Sequence, residues 1–349
     1  MQLSRFSILV FGLTFNFASL QQVILVNPSY LLIFTLFLPC DFKKILGVLS
    51  LVIVFISSVL FLELSSSLYI PYLQLVFDFA VCLAIVNVIS NTSIDKIHQV
   101  LSNTSKILLL LAILSVLDYI FKLGVINELL TSITLWGNGG SGLPRLSLTF
   151  SNPNWGAFTL FLLLCIAIEV KASRLTRGVF LLLILFMQSK SAIAISLFYV
   201  LGLYLNNSYL RLLYLVIFVV VFYFLMVFNP FVETASFVNR ELMYQQVAIL
   251  SEYYPQGLMG NDALRILIEK TGEDTMPSLL LLIYSLGYVL FLILLATWML
   301  KALRSYSKLL LLVCILAFSS VYSFLSVSIV SGIGMYLLYM VYKHDRRLS

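Results

Sequence analysis

The chain has 349 residues, of which 61% are hydrophobic and only 10% charged, with a mean hydropathy of +1.06. Soluble domains carry roughly 25% charged residues, because a water-facing surface needs them. The composition therefore excludes a cytoplasmic enzyme, a disordered protein and a disulfide scaffold, and it predicts an all-α polytopic membrane protein. The net charge of +6 is the excess expected from Lys and Arg residues in the cytoplasmic loops of such proteins, and it does not indicate a nucleic-acid partner.

A membrane-spanning helix needs about 20 mostly apolar residues. By this criterion the sequence predicts about twelve transmembrane helices and two larger loops, at about 125–152 and 230–277. No linker or internal repeat divides the chain, so 1–349 is predicted to form a single integral-membrane domain. The predicted spans are 6–20, 23–39, 45–62, 68–90, 107–124, 153–169, 178–189, 191–206, 211–229, 278–300, 308–322 and 324–342.

The basic residues predict the orientation. A cytoplasmic N-terminus places 15 of the 21 Lys and Arg residues on the inner side, as the positive-inside rule requires. Both termini are then cytoplasmic and both large loops are outside. The segment 178–205 has 28 residues, which is short for two full crossings. Its tip at 188–191 is predicted either to lie in a recessed cavity or to let Lys190 reach the outer headgroups.

The first outer loop carries a candidate anion site. Asn152 is predicted to cap the helix 153–169 and Pro153 to begin it, so its free N–H groups face outward. Arg145 is the only basic residue of this loop and supplies a second anion-binding group; the alternative is an interfacial arginine bonded to loop carbonyls. The glycine-rich stretch 137–142 spells GxGxxG. It is predicted to be a flexible or closely packed loop, because a dinucleotide site needs a βαβ unit.

The second outer loop is predicted to be partly helical. Apolar residues recur at helical spacing over 236–252, and a second helix is predicted over 262–271. Arg240 lies in the first helix, within a loop of seven acidic and three basic residues. Two interpretations therefore stay open for Arg240, an anion-binding role and a salt bridge that holds the loop.

Four segments occur in a characteristic order: PRLSLTFSNPNWGAF from Pro144, LFMQSKSAIAISLF from Leu185, NRELMYQQVAILSEYYPQGLMG from Asn239, and EDTMPSLLLLIYSLGYVLFL from Glu273. Together they resemble the O-antigen polymerase and ligase superfamily over about 135–300. Lys190 stands where that superfamily usually has arginine. The spacing from Arg240 to Gly257 is also longer than in its second-loop pattern.

The resemblance implies a glycosyltransferase of the bacterial inner membrane. Such an enzyme polymerises undecaprenyl-diphosphate-linked oligosaccharide repeat units into O-antigen or a related surface polysaccharide at the periplasmic face. It implies no metal and no cofactor, and as partners a flippase and a chain-length regulator. By the same resemblance, a ligase would usually carry a periplasmic histidine near the start of the span after the large loop. The only histidines here, His98 and His344, are predicted to be cytoplasmic, so polymerase is favoured over O-antigen ligase.

A flippase or secondary transporter is the other alternative. Asp78 and an i,i+4 pair of Asp118 and Lys122 are predicted to lie within spans, and charges inside the membrane are functional candidates. The competing interpretation of Asp118 and Lys122 is a satisfied structural ion pair.

Glycosyl transfer from a lipid diphosphate must stabilise the leaving group and activate the acceptor hydroxyl. Arg145 and Arg240 are the candidates for the first task, and the carboxylates of Glu273 and Asp274 for the second. A plain helix-capping role is the alternative for the two carboxylates. The candidate substrate-binding residues are Asn152, Asn154, Lys190, Tyr244 and Arg265.

Overall fold

The computed structural model describes residues 6, 7, 10, 85, 86, 88–126, 133–135, 144–148, 150, 153–227, 245, 278–321 and 337. Within these ranges the chain is mostly helical, with one short two-stranded sheet. The elements, in chain order, are α1 (Ile94–Ile120), β1 (Ile133–Leu135), β2 (Pro144–Leu146), α2 (Pro153–Glu169), α3 (Arg174–Phe186), α4 (Lys190–Leu203), α5 (Ser208–Val227), α6 (Ser278–Ala302) and α7 (Tyr306–Val321).

Seven of the twelve predicted spans overlap a described helix. The prediction 153–169 coincides with α2, and the starts of α3 to α7 lie within four residues of the predicted starts. The helix α1 differs most, because it begins at Ile94 and not at 107. Its first three turns are polar, and a hydropathy criterion detects only the apolar part of a helix.

Membrane-spanning length is met by one described helix. Of the described residues, only α1 has the length and apolar composition to cross a bilayer on those grounds alone. Apolar stretches of 10–17 residues occur in α2, α4, α5, α6 and α7. A count of twelve spans is therefore not confirmed. The predicted spans 6–20, 23–39, 45–62, 68–90 and 324–342, and the predicted helices of the large loop 230–277, lie outside the described residues apart from residues 6, 7, 10, 85, 86, 88–90, 245 and 337.

The helix α1 exposes its most apolar side. Its buried positions from 104 onward are mainly small or polar, namely Thr104, Ser105, Leu108, Ala112, Ser115 and Asp118. Its exposed positions are large and aliphatic, among them Ile107, Leu110, Ile113, Leu114, Val116, Leu117 and Ile120. A helix on the surface of a soluble protein shows the opposite distribution.

The described contacts group into two units, and the chain passes from one to the other within α4, after Ile193. In the first unit α3 packs against α2 and α1, and β1 contacts α1. The ring Nε2 of His98 on α1 donates a hydrogen bond to the carbonyl of Val170, just after α2. The helix α2 is buried on all sides, from Ala157 to Ala167.

In the second unit α7 packs against α6 and α5. The helix α6 is interrupted at Gly287, whose φ of 70° and ψ of 164° are outside the helical region. Only glycine adopts this conformation readily, because a Cβ would clash with the backbone. The predicted span 278–300 is therefore two helical segments joined at Gly287. The prediction of a single domain over 1–349 stays a prediction.

Candidate functional site

The first turn of α2 is fixed by burial. The helix begins at Pro153, as predicted, because proline presets the helical φ and has no N–H that would lack a partner there. The predicted cap Asn152 lies outside the described residues. Asn154 is half-buried, and the helix is fully buried from Ala157. The N-terminal end of α2 is therefore held in place by the core that follows it.

Gly156 brings this turn against Phe150, which lies shortly before α2, and against Met187, which is distant in the chain. A Cβ placed on Gly156 would lie 2.8 Å from Met187 Cε and 2.8 Å from Phe150 Cδ2. Carbon atoms in van der Waals contact are about 3.5–4.0 Å apart, so no side chain fits here without movement of its neighbours. Glycine at 156 thus allows the start of α2 to pack against the residue that follows α3.

Met187 belongs to the short connection between α3 and α4. Met187 is fully buried, Gln188 has a left-handed φ of 52°, and Ser189 is 2% exposed. The carbonyl of Ser189 accepts the N–H of Ile193 at 2.8 Å, which starts α4. Lys190, the first residue of α4, is exposed. The packing of Gly156 on Met187 therefore brings the Asn154 turn close to the Lys190 turn.

Arg145 lies at the centre of β2. The strands β1 and β2 are antiparallel, with Arg145 opposite Thr134. The sequence prediction missed both strands, since three residues are too few for an alternating pattern to be recognised. Because the glycine-rich stretch 137–142 joins two paired strands, the strand-then-helix context of a dinucleotide site is absent from the described part of this loop.

A buried turn connects β2 to α2. The N–H of Phe150 donates to the carbonyl of Ser147 at 3.0 Å, and Leu148 between them is buried with a left-handed φ of 52°. Leucine rarely adopts this conformation, so burial must hold it in place. Because Phe150 contacts the position of Gly156, the strand that carries Arg145 is anchored to the first turn of α2.

Asp118 does not form the predicted helical pair. The helix α1 ends at Ile120, and Lys122 lies beyond it, exposed and with a φ of 55°. Helical i,i+4 spacing is therefore lost between these two described residues. Asp118 is only 3% exposed, and its carboxylate accepts the N–H of Ile126 at 3.2 Å. It holds the residues that follow α1 against the end of that helix.

The described residues thus bring together part of the predicted site. Asn154, Lys190 and the backbone of Arg145 belong to one connected region of the first unit. Arg240, Tyr244, Arg265, Glu273 and Asp274 lie outside the described residues. The sequence prediction missed Phe150 and Met187, the two side chains that hold this region together. Gly156 was the available signal, because a glycine near a helix start permits close packing, but the sequence does not show which residues make the contact.

Comparisons with known proteins identify no relative. No protein-family model, no curated protein and no solved structure matches this chain.

Proposed function

We propose that this protein is a polysaccharide polymerase that transfers a glycan from one lipid diphosphate to the sugar end of another lipid-linked unit. The packing of Gly156 on Met187 is the observation that carries the proposal. It joins the two segments, SNPNWG and QSKS, whose resemblance to the O-antigen polymerase and ligase superfamily suggested the function. A functional site assembled from distant segments requires such a contact.

The chemistry of the region suits a leaving diphosphate. The first turn of α2 has N–H groups without helical partners and a partial positive charge. Lys190 is exposed and lies three residues after the buried Met187. Arg145 lies in β2, the strand that is anchored to the first turn of α2. We propose that the side chains of these two residues stabilise the negative charge that develops as the sugar leaves. The acceptor base is proposed to come from Glu273 or Asp274.

Membrane insertion is part of the proposal. The helix α1 exposes an aliphatic side, and α5 separately exposes one that includes Leu210, Leu212, Leu213, Val216, Ile217, Val219, Val220 and Val221. Surfaces of this size are costly in water and favourable in lipid. We propose about twelve spans in the bacterial inner membrane, both termini in the cytoplasm, and the region around Arg145 and Lys190 on the periplasmic side.

Deletion of the coding sequence tests the function. We expect the surface polysaccharide of the deletion strain to lose its ladder on a gel while one repeat unit is still attached to the acceptor. Retention of that unit reflects working export and ligation without polymerisation. If no repeat unit is attached, a ligase or flippase function is indicated and the polymerase proposal is wrong.

Reporter fusions test the topology. Reporters after Lys44, Glu63, Glu252 and Lys308 should give inside, outside, outside and inside signals respectively, because basic residues remain in the cytoplasm. A fusion within the turn that follows α2, at Lys171, serves as a further control and should report inside. An outside signal at Lys308 would contradict the twelve-span arrangement.

A further inference from the structure

One end of the second unit is closely packed and strongly basic. There the end of α4 meets the beginnings of α5 and α7. The Tyr214 hydroxyl of α5 donates to the carbonyl of Phe198 on α4 at 3.0 Å. A Cβ on Gly202 of α4 would lie 2.7 Å from Leu310 Cδ2 of α7. The three helix ends are therefore held at fixed positions relative to one another.

Arg211 is held in one orientation at this end. Its Nε donates to the carbonyl of Leu205 at 2.6 Å, and its guanidinium carbon lies 4.8 Å from the ring centroid of Tyr306. These contacts use one N–H and one face of the group. Among the described residues, no acceptor binds the two terminal nitrogens. Arg211 therefore presents a pre-oriented fork of donors, the geometry that suits a phosphate.

Other cations lie near Tyr306 in the chain. Arg304 and Lys308 lie two residues before and two residues after Tyr306, and Lys301 lies in the last turn of α6. The described ranges of this unit, 194–227 and 278–321, contain no Asp or Glu. The formal charge of the described side chains at this end is therefore uniformly positive.

Two tyrosines mark the level of this end in a membrane. Tyr204 and Tyr209 flank the α4–α5 connection and are 75% and 85% exposed. Amphipathic aromatic rings are enriched where a bilayer meets water, the level at which lipid headgroups lie. Basic pockets between helices on the cytoplasmic side are known to bind anionic headgroups.

We propose that Arg211, Arg304 and Lys308 form a basic cluster that binds the phosphate of an anionic phospholipid on the cytoplasmic side. The inference depends on the membrane location given in the proposed function, but not on glycosyl transfer. Its test reads out lipid binding alone, so it can succeed or fail whatever the outcome of the gel analysis.

The test uses the full-length protein in nanodiscs that contain equal amounts of phosphatidylglycerol and phosphatidylcholine. Native mass spectrometry measures the ratio of the two lipids retained by the protein. The variants are Arg304→Ala/Lys308→Ala, which leaves the Arg211 contacts intact, and Arg211→Lys, which keeps the charge but loses the fork. The matched control is Arg174→Ala, an exposed cation at the start of α3 that is also predicted to be cytoplasmic.

We expect the wild-type protein to prefer phosphatidylglycerol. Each basic residue near an anionic surface contributes about 1 kcal/mol, or roughly fivefold in affinity, so the double variant should lose at least fivefold of that preference. Arg211→Lys should also lower it, and Arg174→Ala should leave it unchanged. An equal preference in all variants would show only diffuse attraction and overturn the proposal. Displacement of phosphatidylglycerol by excess inorganic phosphate would identify free phosphate as the ligand and overturn it as well.

Discussion

Arg145→Ala is expected to abolish long polysaccharide chains while the protein still inserts in the membrane in normal amount. If Arg145 holds the leaving diphosphate, its loss leaves a developing negative charge with one donor fewer. Breaking a hydrogen-bonded charge pair costs on the order of 2–5 kcal/mol, which is roughly 30-fold to several thousandfold in rate. The measurement is the polysaccharide ladder of a complemented deletion strain, with the membrane level of each variant followed by immunoblot.

The conservative variant Arg145→Lys sharpens this prediction. Lysine keeps the charge but lacks the planar fork that binds two phosphate oxygens, so Arg145→Lys should also lose most polymer. An interfacial arginine bonded to loop carbonyls would instead tolerate lysine. The matched control is Lys122→Asn, which removes another exposed cation on the same predicted side and keeps a residue that tolerates the observed left-handed φ of 55°. Full-length ladders from Arg145→Ala would refute the role and direct attention to Lys190, Arg240 and Arg265.

Gly156→Ala is expected to lower both stability and activity. The added Cβ would lie 2.8 Å from Phe150 Cδ2 and Met187 Cε and 2.9 Å from Met187 Sδ. Met187 has a flexible side chain, but Phe150 is buried in the turn after β2, so the first turn of α2 has to move. Such overpacking costs about 1–3 kcal/mol, and the movement separates the two halves of the proposed site. Unfolding of the purified protein in detergent measures the first effect, and ladder length measures the second.

The chain offers a matched glycine as control. Gly178 in α3 has no atom within 4 Å of the position of an added Cβ. Gly178→Ala should therefore stabilise the protein by about 0.5–1 kcal/mol, because alanine loses less backbone entropy in a helix. Met187→Ala removes two of the three clashing atoms, so Gly156→Ala should cost less stability in the Met187→Ala background than in the wild-type protein. An equal cost in the two backgrounds would show that Gly156 and Met187 do not interact as described.

Local sequence patterns predicted a helix boundary well where a residue in the first turn itself favours that position. Pro153 fixed the start of α2 because a proline without an N–H is favoured at a first helical position. The same patterns failed at Asp118 and Lys122, whose spacing fits a helix that in fact ends at Ile120. The interruption at Gly287 was also missed, because a single glycine in an apolar run is compatible with a continuous helix.

The amino-acid sequence by itself predicted the helical character of the described ranges and the approximate positions of seven described helices. It also predicted a set of residues suited to a lipid diphosphate, and that set stays a prediction. Composition and periodicity are properties of neighbouring residues, so they can be read without a structure. Only the tertiary structure decided that Gly156 packs on Met187 and that Phe150 anchors the strand carrying Arg145. Gly156 and Met187 are far apart in the chain, and the energy of their contact comes from shape complementarity in the core, which no local pattern encodes.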